Sequence, residues 1–490
     1  KAAHFRGFEL PSEAGGRMKK LFWDTAGLDA RAVSEFGLST EALMQNAASA
    51  LARAVRNKFK KSSTKRRKIL GVIGSGNNGA DALAALRLLG GKFDCFAFLA
   101  SDKQNEISKT ELTRALKCGV NLISNLTEIG EFDCIIDGIF GTGLNRELDE
   151  RTINLINTLN AKSTYKLACD IPSGLDKNGV PQGAVFRADT TVTMGALKLA
   201  LYSDFAKDFV GRVKVANLGL SRELYETGTN FYKLGKSDLN LPFRVKQNVN
   251  KGDFGHVFVV SGEKCGAARI AGLAALTIGV GLVSVVGENL NIEPVLMQSA
   301  RITPKMRVGA VGMGLGELDE AQKDELFSEL KTKEALVIDA DLCYEPRTLE
   351  LLNSKNVVIT PHPKEFASLL ELANLGQFDA SAVQKNRFNL AQIFSRNFKC
   401  ALVLKGANTL IAQGGEVYVM MYGSAALAKG GSGDALSGIV AGLLAQGYDS
   451  LNAAISGTLA HALAAREIKI NDYALTAADV IKGLKCLRKK

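Results

Sequence analysis

Leu427-Ala428-Lys429-Gly430-Gly431-Ser432-Gly433-Asp434-Ala435-Leu436-Ser437-Gly438 passes from small residues through a glycine cluster to one aspartate, and the run Ile439-Val440-Ala441-Gly442-Leu443-Leu444 behind it reads as a helix. Glycine lets backbone approach a ligand closely, and consecutive backbone N–H groups at a helix start form an anion site. Phosphates fit such a site, and an aspartate at its rim can take a proton from a hydroxyl.

Working outward, the second half reads as strand Gly255 to Val260, helix Ala267 to Val280, strands Leu282 to Val286, Ala335 to Asp339 and Val357 to Ile359, helix Lys364 to Leu372, a helix around Ala382 to Phe394, strand Ala401 to Leu404 and a hairpin from Leu410 to Met420. The first half begins with helical periodicity from Asp24 to Phe59. It continues with strand Ile69 to Ile73, helix Ala80 to Leu89, strand Phe93 to Leu99, helix Ser108 to Cys118, strand Cys134 to Asp137, helix Thr152 to Leu159 and strand Tyr165 to Asp170. Short buried strands alternating with helices predict α/β architecture with doubly wound parallel sheets, whose ligands bind beyond the carboxyl ends of the strands. The expected domains are 18–225 and 246–490. The polar stretch Leu220 to Asn250, with Pro242, joins them, and 226–245 is taken as linker. Residues 1–17 look foreign to the fold, a remnant ahead of Met18.

With 490 residues, 46% hydrophobic and 23% charged, the chain is long enough for two cores and ordinary for a globular protein. Its formal charge of +11 admits anionic substrates. The densest basic run, Arg56 to Lys68, carries one aromatic, Phe59, and reads as a solvated loop rather than a nucleic-acid surface. The 8 cysteines form no C-x-x-C pair and there are 4 histidines, which argues against structural zinc and a disulfide framework. No apolar run reaches membrane-spanning length and no signal peptide is evident, so a cytoplasmic protein is expected.

Three loops in the first half follow successive strands. Gly74-Ser75-Gly76-Asn77-Asn78-Gly79-Ala80-Asp81 resembles a phosphate-cradling turn, but its amides and carboxylate suit ribose hydroxyls or a hard cation better than phosphate alone. Asp137-Gly138-Ile139-Phe140-Gly141-Thr142-Gly143 and Asp170-Ile171-Pro172-Ser173-Gly174-Leu175-Asp176 follow the next two strands. Each aspartate alone could be a helix cap or turn residue. Together, three loops at successive strand ends converge in a doubly wound sheet. These motifs resemble the N-terminal domain of the bifunctional NAD(P)H-hydrate repair enzymes, an epimerase of the R and S hydrates of reduced nicotinamide dinucleotides. The resemblance implies potassium held by Asn78, Asp137 and Ser173. It implies substrate contacts from Asn77, Asn78, Gly79, Ala80 and Asp81, from Gly141, Thr142, Gly143, Leu144, Asn145, Arg146 and Glu147, and from Asp170, the candidate acid–base group. Ala80 and Ala82 stand where that family usually has glycines, so tighter packing is expected there.

In the second half, Lys251-Gly252-Asp253-Phe254-Gly255-His256, Ser261-Gly262, Val311-Gly312-Met313-Gly314-Leu315-Gly316, Val337-Ile338-Asp339-Ala340-Asp341, Ile359-Thr360-Pro361-His362-Pro363-Lys364-Glu365 and Leu404-Lys405-Gly406-Ala407-Asn408-Thr409 precede the glycine–aspartate run. Singly, His362 could cap a turn, Lys405 could be a strand-end charge, and Asp339 and Asp341 could be caps. In this order they resemble the C-terminal dehydratase domain of the same family. The fold implied is an N-terminal doubly wound Rossmann-like three-layer sandwich joined to a C-terminal ribokinase-like α/β domain. The resemblance places ADP or ATP on Lys405, Gly406, Ala407, Asn408, Thr409 and Gly433, and the hydrate on Ala267, Gly316, His362 and Asp434. Asp434 is the implied base. Mg²⁺ is expected, held partly by the nucleotide's phosphates, with Asp339, Asp341 and Glu365 as weaker candidates to order it. Lys429 replaces the family's usual threonine and leaves nucleotide preference open. The implied partners are the hydrate and an adenine nucleotide, with no nucleic acid or membrane, and the implied assembly is a homo-oligomer. Two other readings stand beside this one: a small-molecule kinase on the same fold, and a first half that only binds.

Overall fold

The computed structural model describes residues 18–60, 66–126, 131–288, 290–354 and 356–488. The leading 1–17 and the middle of the basic run, 61–65, lie outside them. The chain divides into two compact units, Lys20–Thr229 and Asn230–Lys490, and the described residues Met18 and Lys19 go with the second rather than with the first domain expected from 18.

The first unit is built on a seven-stranded sheet of β1 (Lys68–Ile73), β2 (Asp94–Leu99), β3 (Asn121–Ile123), β4 (Cys134–Gly138), β5 (Tyr165–Cys169), β6 (Thr190–Met194) and β7 (Arg212–Ala216). The order is β3-β2-β1-β4-β5-β6-β7 and every pair is parallel. Parallel strands are covered on both faces, and β1 shows it. Ile69 and Ile73 join one core with Leu51, Val55, Leu83 and Leu86, while Leu70 and Val72 join another with Ile135, Ile156 and Leu159. The strand order reverses between β1 and β4, which opens a crevice at their carboxyl ends.

The helical stretch Asp24 to Phe59 is two helices, α1 (Ala26–Ser34) and α2 (Thr40–Lys58), separated at Gly37, whose φ of +70° suits glycine. The next, α3 (Asn77–Leu89), begins ahead of the expected Ala80, because its first turn is the polar pair Asn77-Asn78 and carries no apolar period. Helices α4 (Glu106–Lys117) and α5 (Glu150–Ala161) complete the layers; Asn105 and Asp149 cap them by accepting from Ser108 N and Thr152 N. Strands β6 and β7 were not anticipated: the first is mostly threonine and the second alternates charged with apolar residues.

The second unit carries β8 (Phe231–Lys233), β9 (His256–Val260), β10 (Leu282–Val286), β11 (Met297–Ser299), β12 (Val308–Val311), β13 (Ala335–Ile338), β14 (Val357–Ile359), β15 (Ala401–Leu404), β16 (Thr409–Gln413) and β17 (Glu416–Met420). Inward from β8 the sheet runs β8-β17-β16-β15-β14-β13-β12-β9-β10-β11. It is parallel from β15 to β11, and the hairpin β16–β17 is antiparallel. Within the stretch read as linker, β8 pairs parallel with β17, and Tyr232 stacks on Tyr418 at 5.5 Å between ring centroids.

Helices α6 (Cys265–Thr277), α7 (Glu320–Leu330), α8 (Pro363–Leu372), α9 (Ala380–Asn397), α10 (Ser432–Ala445), α11 (Ser450–Glu467) and α12 (Ala477–Leu484) accompany this sheet. The run behind Asp434 is indeed helical: α10 is buried almost throughout, packed among Ala271, Ala274 and Ala275 of α6 and Leu459 and Ala460 of α11. The eight cysteines are all free. No helix among the described residues is long and apolar enough to cross a membrane.

Candidate active sites

A cavity of about 830 Å³ opens where β1 and β4 diverge. Ser75 to Asn78 and Asp81 line it from the β1 loop and α3, Ile139 to Leu144 from the β4 loop, Asp170 from the end of β5, and Asp29 from α1. Glycine is required where these loops cross: a Cβ at Gly74 would meet the Ile139 carbonyl oxygen at 1.9 Å, and one at Gly79 the Gly74 carbonyl oxygen at 2.3 Å. The expected tight packing at Ala80 and Ala82 is present, for both are wholly buried, and the Ala82 methyl lies 2.7 Å from where a Gly138 Cβ would stand.

Asn78 Nδ2 donates to the carbonyls of Phe140 (2.9 Å) and Cys169 (3.0 Å), tying the loops together. Asp137 is fully buried and accepts from Ser173 Oγ at 2.6 Å, Ser173 N at 2.8 Å and Ile139 N at 3.2 Å. Burial pushes its carboxyl up to about 6, against the Ser173 hydrogen bonds. The potassium candidates Asn78, Asp137 and Ser173 are thus neighbours. A buried carboxylate with amide and hydroxyl oxygens beside it is a donor set that fits a hard monovalent cation. Gly141 to Leu144 line the cavity; Asn145, Arg146 and Glu147 are exposed outside its wall, and Gly79 and Ala80 lie behind it.

Asp170 has left-handed backbone, φ +68°, which a non-glycine residue adopts at a cost. Its Oδ1 accepts from Lys198 Nζ at 2.6 Å, Met194 N at 3.0 Å and Thr193 Oγ1 at 3.2 Å. Lys198 is 1% exposed. Sequence reasoning missed this lysine, although a signal was present: one charge inside the apolar run Met194-Gly195-Ala196-Leu197-Lys198-Leu199-Ala200-Leu201. Also missed was Tyr225, whose hydroxyl donates to Asp29 Oδ1 at 2.7 Å.

In the second unit, the motif residues gather at the carboxyl ends of the parallel strands. Gly312, Gly314 and Gly316 all have positive φ, and a Cβ at Gly314 would stand 3.2 Å from Ala267 Cβ. Gly316 N donates to Asp341 Oδ2 at 2.9 Å. Lys405 Nζ lies 2.8 Å from Asp339 Oδ1 and 3.7 Å from Glu365 Oε2. Burial opposes the charge on Lys405, but Asp339 and Glu365 outweigh it and raise its pKa. Ser437 Oγ, one turn into α10, donates to Asp339 Oδ2 at 2.7 Å. A Cβ on Gly433 would stand 3.6 Å from Lys405 Nζ. Asp434 is half-buried; burial, then the charge of Asp339, raises its carboxyl above the usual aspartate value, and Lys405 opposes them. A carboxylate so biased is a better proton acceptor than an aspartate in water.

His362 caps α8. Its Nδ1 accepts from Lys364 N and Glu365 N at 3.2 Å, and Nε2 lies 3.1 Å from Glu365 Oε1. Gly406 and Ala407 are exposed, whereas Asn408 and Thr409 are buried. Lys429 Nζ donates to the Tyr473 carbonyl at 2.6 Å. Beneath the glycine turn, His461 Nε2 lies 3.2 Å from Ser432 Oγ; the ring is buried, and that burial pushes its pKa down to about 4. Ser437 and His461 were not among the sequence candidates. A second cavity, about 790 Å³ with Asn356 and Lys399 in its wall, lies at the amino ends of β14 and β15, away from these groups.

The family profile described as NAD(P)H-hydrate dehydratase matches residues 257–485, and that of the YjeF-related protein N-terminus matches residues 40–200. The bifunctional NAD(P)H-hydrate repair enzyme Nnr of Helicobacter pylori is 39% identical over 479 residues, spanning 96% of this chain and 100% of that protein. The chain belongs to the bifunctional NAD(P)H-hydrate repair enzymes. The repair enzyme of Dictyoglomus turgidum is 30% identical over 93% of this chain and 95% of its own length, and that of Escherichia coli 31% over 80% and 79%. Among solved structures, the ADP/ATP-dependent NAD(P)H-hydrate dehydratase of Bacillus subtilis, co-crystallised with ATP/Mg²⁺, is 25% identical with a TM-score of 0.44, covering 50% of this chain and 92% of that one. In this repair enzyme the dehydratase profile falls on the unit holding Asp434, and the other profile on the unit holding the Asp170–Lys198 pair.

Proposed function

We propose that the first unit interconverts the R and S hydrates of NADH and NADPH, and that the second dehydrates the S form with ADP or ATP as phosphoryl donor. The observation that carries this reading is that each matched half gathers its motif residues at the carboxyl end of its own parallel sheet.

In the first unit, Asn77, Asn78, Gly141 to Leu144 and Asp170 contact the hydrate from the cavity wall. Asp170 moves a proton as the C6 hydroxyl leaves and returns. Asn78, Asp137 and Ser173 are the residues that would hold potassium, which would supply fixed positive charge near the substrate's phosphates. In the second unit, Lys405 to Thr409 and Gly433 bind the nucleotide, while Ala267, Gly316 and His362 face the hydrate. Asp434 takes the C6 hydroxyl proton, and the alkoxide attacks the terminal phosphoryl group, releasing AMP from ADP or ADP from ATP. The ring-nitrogen lone pair then expels phosphate, and loss of a C5 proton restores the double bond. Positioning and charge neutralisation do most of this work. Both Asp339 oxygens and both Glu365 oxygens already have partners. Among the described residues no cluster of three His, Cys, Asp or Glu is set to hold a metal. Magnesium would therefore arrive on the nucleotide's phosphates, with Asp339 and Glu365 ordering its waters.

The test is an epimer-resolved assay. The purified chain, with Mg²⁺, K⁺ and either nucleotide, should regenerate the near-ultraviolet absorbance of reduced nicotinamide from both hydrates. A stable phosphorylated product would favour a kinase instead. Size-exclusion chromatography with light scattering should show a homo-oligomer.

A further inference from the structure

The cavity at the β1/β4 divergence holds more carboxyl groups than a single base requires. Asp29 from α1, Asp81 from α3 and Asp170 after β5 all line it. Lys198, the buried ammonium beside them, has its three protons committed: to Asp170 Oδ1 at 2.6 Å, the Met194 carbonyl at 3.0 Å and Thr193 Oγ1 at 3.2 Å. Asp29 is held by the Tyr225 hydroxyl at 2.7 Å. Asp81 is 8% exposed, and among the described residues no ion pair or side-chain hydrogen bond reaches its carboxyl. Taking such a group into the wall as an anion is costly, so burial favours its protonated form. Burial, then the charges of Asp170, Asp29 and Glu111, push its carboxyl well above the usual aspartate value, with Lys198 opposing. Asp170 is ion-paired with Lys198 and Asp81 is not, so one cavity offers a carboxylate to act as base and a carboxyl group to act as acid.

We propose that Asp81 is a second catalytic acid of this cavity, protonating the departing C6 hydroxyl while Asp170, paired with Lys198, takes a proton from the water that returns. The inference rests on the epimerase reading above. The C6–O bond breaks as the ring-nitrogen lone pair forms a C6=N bond, and the hydroxyl leaves as water carrying the Asp81 proton. Water then adds to C6 from the other face, the π electrons return to nitrogen, and the released proton passes to the Asp170 carboxylate. Exchange with solvent resets both groups. Lys198 acts as the positioning residue that keeps the two roles separate.

Asp81→Asn replaces a neutral acid with a neutral amide of the same shape. With the R hydrate of NADH as substrate and chromatographic separation of epimers, kcat for R to S should fall about a hundredfold or more. KM should stay within about threefold, because the amide still fills the same wall. Asp81→Glu retains the acid and should turn over faster than Asp81→Asn at an equal melting temperature. If Asp81→Asn melts early, the wild-type kcat must still fall on the alkaline side as the acid is lost, and a flat alkaline limb overturns the assignment. So does a kcat for well-folded Asp81→Asn within about threefold of wild type. Wild-type chain that leaves the two epimers unmixed overturns the epimerase reading itself.

Discussion

At the scale of single residues, two aspartates divide the chemistry, and their variants should fail differently. Asp434→Asn should lower dehydration of both hydrates by about 10²–10⁴-fold, since general-base catalysis supplies that much. Asp170→Asn should slow consumption of the R hydrate alone; equal rates for both epimers in that variant would remove the epimerase role. Lys429 gives a contrasting expectation. Its ammonium rests on the Tyr473 carbonyl at the surface, so Lys429→Thr should cost no more than about 1 kcal/mol and leave the KM for ATP within about threefold. A larger shift in ATP titrations would mean that the lysine leaves the carbonyl for the nucleotide. Asp170, Asp434, His362 and Lys405 were legible in the sequence because each stands within two residues of a glycine or proline, just after a strand or at the start of a helix. Lys198 was harder to find, because its role depends on β6, a strand whose threonines carry no apolar signal.

At the scale of elements, the glycine turn and α10 form one device. Gly431 has φ +85°, and a Cβ there would stand 2.8 Å from Ile270 Cδ1 on α6. Gly431→Ala should cost about 1–2 kcal/mol in backbone strain alone. The loss should appear as a lower melting temperature together with weaker nucleotide binding by calorimetry. The burial of α10 from Ala435 to Leu444 also explains why the helix was easy to read: Ile439 to Leu444 carries no polar residue. Element ends were less legible. The start of α3 is set by the Gly79 and Ala80 N–H groups reaching the Gly76 carbonyl (3.1 and 3.3 Å), a backbone event that apolar periodicity does not report. The strand β8 is three residues long in a polar stretch, and its pairing with β17 depends on a partner far along the chain.

At the scale of the whole molecule, acid should unfold the chain partly through His461. The ring's pKa falls from 6.5 to about 4 on folding, so the unfolded chain binds the proton more readily. The stability it contributes is complete above about pH 6.5 and is lost as pH falls towards about 4, a difference on the order of 3 kcal/mol. His461→Gln should flatten the melting temperature across that interval, and an unchanged acid slope would locate the effect elsewhere. Potassium offers a second whole-chain measurement. If Asn78, Asp137 and Ser173 hold it, KCl should raise the melting temperature more than NaCl at equal ionic strength. The division into two α/β halves was readable from the alternation of buried strands and helices; strand order was not, since it depends on crossings that no local pattern encodes.

The contact between Ala82 and Gly138 restricts how this lineage can change. A side chain at position 138 would begin 2.7 Å from the Ala82 methyl and 2.9 Å from the Asn78 carbonyl oxygen, so trimming Ala82 to glycine removes only one of two obstructions. The second is backbone, which cannot swing aside as a side chain can. A saturation library of position 138 should therefore return glycine among well-folded clones with or without Ala82→Gly.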